Sequence, residues 1–469
     1  MANSDQFRKA NFVTDRWAEL PLTVDRTLAV PLAAQVAAEL RDAAVSGRIR
    51  VGERLPSSRT LATRLGVSRT VVTAAYDQLH AEGWVSGRTG SGTYLAAAPT
   101  AAPPQPADTG PATRTGDLVD LRSGTPCVEL LDPAAWRRAW RAAGHRMPLV
   151  YKERRGEPAY LAAVAEHLLR HRGLSAANHT VLATSGTSSA AGELAAALLR
   201  PGDRVAIENP GYQRAVGAFR AAGMRVVPVP VDEQGLRVDR IPPDVRAVYC
   251  TPAHQFPLGC RMPAARRIEL IDFARRTGAL IVEDDYDGEL RYDTAPLPLL
   301  ATLAPDLVVH LGTTSKILST TLGVGWLVAA PAITDAVVAH RETTGTLPAP
   351  AGQQVVVELS RGGDLSRHLR RLRRGMADRR ATVVTELRRR HLPVQGDHAG
   401  SHLVVPLPSP AAEQRAIESA RSRGIHLDGL ARHHIGTPST FGIAIGYATP
   451  AHADLGPAAA VTADCLAGV

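Results

Sequence analysis

From Ala96 to Ala107 the chain reads Ala-Ala-Ala-Pro-Thr-Ala-Ala-Pro-Pro-Gln-Pro-Ala, and it continues without apolar periodicity through Gly116. Such a stretch has too little apolar surface to offset the entropy of ordering it, so it cannot belong to a packed core. It separates a module over residues 28–96 from a larger one over 119–469, with a Pro/Ala-rich linker at 97–118 and a less regular leader before residue 28. Where it is polyproline-like it rises ~3.1 Å per residue and holds the modules apart. The length of 469 residues agrees, because domains run to roughly 100–200 residues.

The first module has a helical pattern. Pro31 to Val45 places Leu32, Val36, Leu40 and Ala43/Ala44 on one face, with Pro31 suited to the first turn, and Gly47 ends it. In Leu55-Pro56-Ser57-Ser58-Arg59, Ser57 or Ser58 caps a short helix carrying Leu61, Ala62 and Leu65, and Gly66 supplies a tight turn. Ser68 caps the next helix, Arg69 to about Ala81, whose Val71/Val72, Ala75 and Leu79 face inward and whose Arg69, Thr70 and Thr73 face outward. A recognition helix needs polar residues at that end to reach base edges or phosphates. Trp84-Val85-Ser86 and Thr93-Tyr94-Leu95 flank a glycine-rich tip containing Gly90 and Gly92, which predicts a hairpin. Together these elements make a winged helix-turn-helix. The window holds eight Arg against five Asp plus Glu, and the whole chain carries +9, a balance that permits nucleic-acid partners.

From Val119 onward, short apolar runs beginning at Val181, Arg204, Arg225, Ala247, Leu280 and Leu307 alternate with helix-like stretches. That rhythm implies an α/β domain with a mixed, largely parallel sheet, whose sites lie at strand ends and adjoining loops. Lys316 follows Gly-Thr-Thr-Ser after the Leu307 run; an amine is what a Schiff base to an aldehyde requires. Asp284 ends the Leu280 run, where its carboxylate can pair with a pyridinium nitrogen. Ser185-Gly186-Thr187-Ser188-Ser189 leads into a helix expected near Ala190 and suits a phosphate. Tyr212 is a candidate to stack on a cofactor ring. Alone, each has an ordinary reading as surface lysine, helix cap or packing aromatic; their joint order favours the cofactor reading.

Residues 28–96, with Leu-Pro-Ser-Ser-Arg, Gly-Val-Ser-Arg, Ala-Glu-Gly-Trp and Gly-Ser-Gly-Thr, resemble the GntR-type winged helix. That resemblance implies operator contacts from Arg59, Ser68 and Arg69, with Gly90 and Gly92 approaching the minor groove. Residues 119–469 resemble the fold-type I, aspartate-aminotransferase-like enzymes. Thr251-Pro252-Ala253-His254-Gln255-Phe256-Pro257-Leu258-Gly259 and Glu283-Asp284-Asp285-Tyr286-Asp287 are typical of MocR-type regulators, which join the two modules. The resemblance implies pyridoxal 5'-phosphate on Lys316, Asp284 at the pyridine nitrogen, Tyr286 at the ring hydroxyl and Tyr212 stacked. It further implies a phosphate site at Gly186, Thr187, Ser188, Thr313 and Ser315, Tyr151 reaching the partner's cofactor, and a head-to-tail homodimer on double-stranded operator DNA.

Two positions depart from the pattern. Seven residues after the lysine, where the family places a phosphate-neutralising arginine, stands Gly323; where aminotransferases clamp the substrate carboxylate, Ile443-Ala444-Ile445-Gly446-Tyr447 offers Ala444. Arg214 is the nearby candidate for an anionic effector. These departures point to a degenerate aminotransferase domain used as a sensor of pyridoxal phosphate, an amine or an amino acid. The rivals are a working aminotransferase with an appended regulatory domain, and a purely structural aminotransferase fold that takes no cofactor. The Arg-rich stretch Ser366–His391 reads as a solvated helix face, or else as a phosphate contact for wrapped DNA. Four scattered cysteines without C-x-x-C spacing argue against a disulfide framework, and the histidines show no ligand spacing, so no metal is expected. With no apolar run of ~20 residues and a polar N-terminus, the expected setting is a reducing cytoplasm.

Overall fold

The computed structural model describes residues 22–88, 92–98, 118–147, 153–175, 179–292, 298–396 and 399–469. The chain divides into two compact units, with the division between Thr113 and Arg114.

In the first unit, helix α1 (Leu32–Val45) buries Val36, Ala37, Leu40, Ala43 and Ala44, the stripe its periodicity predicts. It starts one residue later than expected, with Pro31 as N-cap. Helix α2 (Ser58–Leu65) is capped by Ser57, whose hydroxyl accepts from the Thr60 amide at 3.1 Å, and Gly66 closes it at φ +62°. Helix α3 (Arg69–Ala81) is capped by Ser68 and buries Val72, Ala75 and Leu79, while Val71 is only half-buried. Strands β1 (Val85–Arg88) and β2 (Gly92–Leu95) pair antiparallel with Val85 opposite Leu95, forming the hairpin; residues 89–91, including Gly90, lie outside the described residues. Leu22, Ile49, Leu55 and Leu61 join these side chains in one core.

The second unit is built on an eight-stranded sheet: β3 (Thr180–Thr184), β4 (Arg204–Asn209), β5 (Arg225–Asp232), β6 (Gly235–Leu236), β7 (Ala247–Cys250), β8 (Leu280–Asp284), β9 (Val308–Thr313) and β10 (Gly325–Ala329). Their order is β3-β10-β9-β8-β7-β4-β5-β6. Strands β9, β8, β7, β4 and β5 run parallel, and β10 is antiparallel to both its neighbours. Ile281 and Val308 point into one apolar cluster and Val282 and Val309 into another. Burial on both faces is why these strands appear in the sequence as continuous apolar runs. β10 begins at Gly325 and carries no run of its own in the sequence reading.

A smaller sheet follows, with β11 (His402–Leu407) paired to β13 (Phe441–Gly446), and β12 (Asp428–Gly429) on the other side of β13. Because β3 opposes β10 and β10 opposes β9, β3 shares the direction of the parallel strands. Asp284, Thr313, Thr184, Asn209 and Cys250 therefore all end their strands on one edge of the large sheet.

Candidate functional site

Lys316 stands three residues past the end of β9, and its Nζ donates to the Gly124 carbonyl. Burial pushes its ammonium below the usual lysine range, while the Asp287 and Asp284 carboxylates oppose that shift. Asp284 ends β8 and is 2% exposed. Its Oδ2 accepts from the Tyr249 hydroxyl, and burial pushes its carboxyl up to about 6. Among the described residues Asp284 Oδ1 is buried without a hydrogen-bond partner, although the Thr187 side chain acts on the same carboxylate. An orphaned buried acceptor costs about 1–3 kcal/mol, so it marks a place for a donor from outside the chain.

Helix α4 (Thr187–Leu198) starts at Thr187, three residues before the expected onset, with Gly186 as N-cap at φ +124°. A Cβ on Gly186 would lie 3.9 Å from Thr313 Oγ1, so the two polar turns adjoin. Thr313 donates to Ser315 Oγ at 2.9 Å and accepts from the Ser315 amide at 3.1 Å. The structure thus brings Gly186, Thr187, Ser188, Thr313 and Ser315 to one rim, at a helix start where amide dipoles favour an anion. Tyr212 caps helix α5 (Gln213–Ala221); its hydroxyl accepts from Ser188 Oγ at 3.1 Å and its ring stands edge-on to Phe256 at 5.7 Å. Arg214 is exposed two residues further on and acts electrostatically on both Tyr212 and Lys316. Tyr151 lies outside the described residues.

These residues fit a phosphorylated pyridine aldehyde. The amine, the orphaned carboxylate oxygen and the hydroxyl-lined helix start meet three different parts of such a molecule, and no single ordinary structural role accounts for all three.

The family comparisons agree with that geometry. Residues 116–446 match the model for aminotransferase class I and II, and residues 32–95 that for bacterial regulatory proteins of the gntR family. Over 454 residues, 91% of this chain and 92% of the relative, it is 32% identical to the probable rhizopine catabolism regulatory protein MocR of Rhizobium meliloti. The chain belongs to the MocR-type regulators. It is also 32% identical to the HTH-type pyridoxine biosynthesis transcriptional regulator PdxR of Corynebacterium glutamicum, over 92% of this chain and 95% of that one. The crystal structure of Pyrococcus horikoshii kynurenine aminotransferase shares the fold, with TM-score 0.69 and 24% identity over 75% of this chain and 91% of that chain.

In this MocR-type transcriptional regulator both departures have a structural setting. Gly323 adopts φ +61°, and a Cβ built there meets none of the described residues within 4 Å. Ala444 is fully buried with Val404 and Leu430, and Leu258 packs against them.

On the DNA-reading unit, Arg59, Ser68, Arg69, Thr70 and Thr73 are all exposed, and Arg69 Nε donates to Ser58 Oγ at 3.3 Å. Gly92, at φ +116°, would put a Cβ 2.6 Å from Arg54 Nε, so the Arg54 guanidinium packs on the wing, a residue the sequence reading passed over. The long helix α6 (Asp364–Arg389) keeps Arg367, Arg370, Arg374, Arg388 and Arg389 exposed, as a solvated face requires, but half-buries Arg371 and Arg373 and buries Arg379 and Arg380. Arg371 Nε donates to the Leu130 carbonyl, Arg373 Nε to that of Glu289, and Arg379, 1% exposed, to Pro450 and Glu129. These arginines staple the unit internally; backbone carbonyls distant in sequence, invisible to a charge count, draw them in.

The sequence reading also missed Tyr249, Glu208, His254 and His402. Glu208 Oε2 accepts from the amide and hydroxyl of Thr251, and burial pushes its carboxyl up to about 7. Tyr249 reads as core because it sits inside an apolar run, and the histidines arrive from separate segments. No helix among the described residues is long and apolar enough to cross a membrane, and no cluster there could hold a metal ion.

Proposed function

We propose that the protein is a cytoplasmic, homodimeric regulator that binds pyridoxal 5'-phosphate at Lys316 and couples its occupancy to operator binding. The observation that carries this reading is the orphaned Asp284 Oδ1, buried at the end of β8, beside the strand that leads to the lysine. When bound, the cofactor supplies an aldehyde for the lysine and an electron-withdrawing ring.

The chain's own groups then divide the work. Asp284 holds a proton on the ring nitrogen, Tyr286 meets the ring hydroxyl and Tyr212 covers the ring face. Gly186, Thr187, Ser188, Thr313 and Ser315 hold the phosphate through amide and hydroxyl donors, and Tyr151 reaches the partner's cofactor in a head-to-tail dimer. Arg214 receives the anionic end of an effector. Arg59, Ser68, Arg69, Thr70 and Thr73 contact the major groove or its phosphates, with Gly90 and Gly92 at the minor groove.

With Ala444 at the clamp position the domain works as a sensor, responding to pyridoxal phosphate itself or to an amine that lacks an α-carboxylate. Similarity to a pyridoxine biosynthesis regulator supports the first choice. The ligand shifts the dimer between two DNA-binding geometries, which select different half-site arrangements.

The test is an absorbance titration of the purified protein with pyridoxal phosphate, borohydride trapping with peptide mapping, and operator footprinting with and without the cofactor. Labelling of Lys316 and a changed footprint are expected. Trapping on another lysine, or an identical footprint in both states, overturns the reading.

A further inference from the structure

Tyr286 and Asp287, adjacent on the loop after β8, converge on one atom of a residue from the loop after β7. His254 Nδ1 lies 2.9 Å from Asp287 Oδ2 and 3.1 Å from Tyr286 Oη. His254 and Asp287 are each 2% exposed and Tyr286 8%. The slot for the imidazole depends on two glycines. Gly400, at φ +75°, would put a Cβ 2.2 Å from His254 Cε1 and 2.7 Å from Asp287 Oδ2, and Gly259, at φ +70°, would put one 3.2 Å from Nε2. Among the described residues His254 Nε2 has no hydrogen-bond partner, so they orient the ring through Nδ1.

These contacts fix where the protons lie. A bare Nδ1 would set its lone pair against a carboxylate oxygen. A proton on Nδ1 turns the same contact into a charge-assisted hydrogen bond, roughly twice as strong as a neutral one. With Nδ1–H committed to Asp287, that nitrogen cannot accept the Tyr286 proton. The Tyr286 oxygen receives the weaker branch, and its O–H is left to donate elsewhere.

We infer that His254 and Asp287 are positioning residues that make Tyr286 a donor toward the cofactor ring hydroxyl and thereby set the acidity of the Lys316 linkage. The inference rests on the cofactor reading proposed above. Donation from Tyr286 stabilises the ring oxygen as an anion, most strongly once the linkage nitrogen has lost its proton, so it lowers the pH at which that nitrogen deprotonates. Without the imidazole, the Tyr286 oxygen loses the N–H branch that turns its own O–H away from His254, and the donation to the ring oxygen weakens. Other charged or titratable groups face this cluster: Asp284, Glu208 and Tyr447 around Tyr286, Asp284, Asp287 and Arg214 around Lys316, and His402 at a 5.0 Å ring distance from His254. All of them stay in place in the variants below.

The experiment uses the full chain loaded with pyridoxal phosphate, its visible band titrated against pH, with circular dichroism and thermal melts on each variant. Tyr286→Phe should raise the midpoint by about one pH unit, a tenfold change in proton affinity. His254→Phe should move it the same way by at least half as much. His254→Asn, whose amide N–H replaces Nδ1–H, should keep the wild-type midpoint. The double variant His254→Phe/Tyr286→Phe should go no further than Tyr286→Phe, since a residue acting through Tyr286 has nothing left to act on. His254→Leu is read beside His254→Phe, so the result does not hang on one variant folding. A wild-type midpoint in both apolar variants while Tyr286→Phe shifts, or additive shifts in the double variant, overturns the positioning role and leaves the cofactor reading intact. An unshifted Tyr286→Phe overturns the role of Tyr286 at the ring hydroxyl and the positioning role with it. A wild-type protein without a visible band overturns the cofactor reading as well.

Discussion

Asp428 lies directly across from Ala444 on the β12–β13 ladder. The position where a carboxylate-clamping arginine was expected is thus met by a buried carboxylate, which accepts from Ser123 Oγ at 2.9 Å and pairs with Arg432 Nε at 2.5 Å. Ser123 adjoins Gly124, whose carbonyl holds the Lys316 amine. This corner of the site already balances its charges without an external anion, and Val404, Leu430 and Ala444 occupy the space behind it.

Restoring the arginine should therefore not restore an enzyme. Ala444→Arg forces a long side chain into a filled cluster, a destabilisation of ~1–3 kcal/mol, and the guanidinium meets Asp428 before any substrate does. The expected outcome is a lower melting temperature and no sustained keto-acid release from alanine, glutamate or aspartate. Multiple turnovers in the variant would show that the clamp alone separates this sensor from an aminotransferase.

Asp284→Asn should separate stability from cofactor binding. The folded carboxyl is pushed up to about 6 from an ordinary 3.8, so the cofactor-free folded state binds its proton more tightly than the unfolded chain does. Its contribution to stability consequently falls as pH rises through that window and levels off above it, a loss on the order of 3 kcal/mol. Asparagine removes the charge. Denaturant unfolding of the cofactor-free variant should show a gain over wild type at pH 7.5 and little difference near pH 4, while affinity for pyridoxal phosphate drops at least ~tenfold with loss of the ring-nitrogen partner. Glu208→Gln should show the same sign of pH dependence, over the window between 4.5 and about 7.

The residues legible in the sequence are those whose neighbours in sequence are also their neighbours in space. Asp284 ends an apolar run and Lys316 closely follows one, Ser57 and Ser68 precede helices they cap, and the α1 stripe repeats with the helical period. What escaped reading is what the fold assembles from distant segments. His254 and Asp287 are separated by 33 positions, and Arg379 and Pro450 by 71. Arg379 looks like one more charge on a solvated helix face until those carbonyls are in place. Tyr249 fails for another reason: the continuous apolar run of β7 marks it as core, which it is, and nothing local reports that its hydroxyl ends on Asp284.

Arg69 and Arg59 should carry operator affinity. Both are exposed at helix starts, and Arg69 is held toward α2 by Ser58. Arg69→Ala should cost ~1–3 kcal/mol and relax base preference at one position if the contact is bidentate to a base edge, or lower the salt slope by about one if it is to a phosphate. Electrophoretic mobility shifts over a salt series, on operator and scrambled DNA, distinguish the two. Unchanged affinity in both Arg69→Ala and Arg59→Ala would remove this face as the DNA reader.

Gly323→Arg tests the missing phosphate charge from the opposite direction. The backbone there is left-handed at φ +61°, so any side chain costs roughly 1–2 kcal/mol, yet the space beyond is open. Against that strain, a guanidinium on a phosphate contributes ~1.5–3 kcal/mol through charge-assisted bonds, present only when the cofactor is bound. The cofactor-free variant should melt lower than wild type while its affinity for pyridoxal phosphate rises about tenfold, the two effects acting on different states. Gly323→Ala carries the strain without the charge, so it should reproduce the destabilisation and leave affinity unchanged. If Arg and Ala at this position bind the cofactor equally, residue 323 does not face the phosphate, and the cradle of Gly186, Thr187, Ser188, Thr313 and Ser315 must balance it alone.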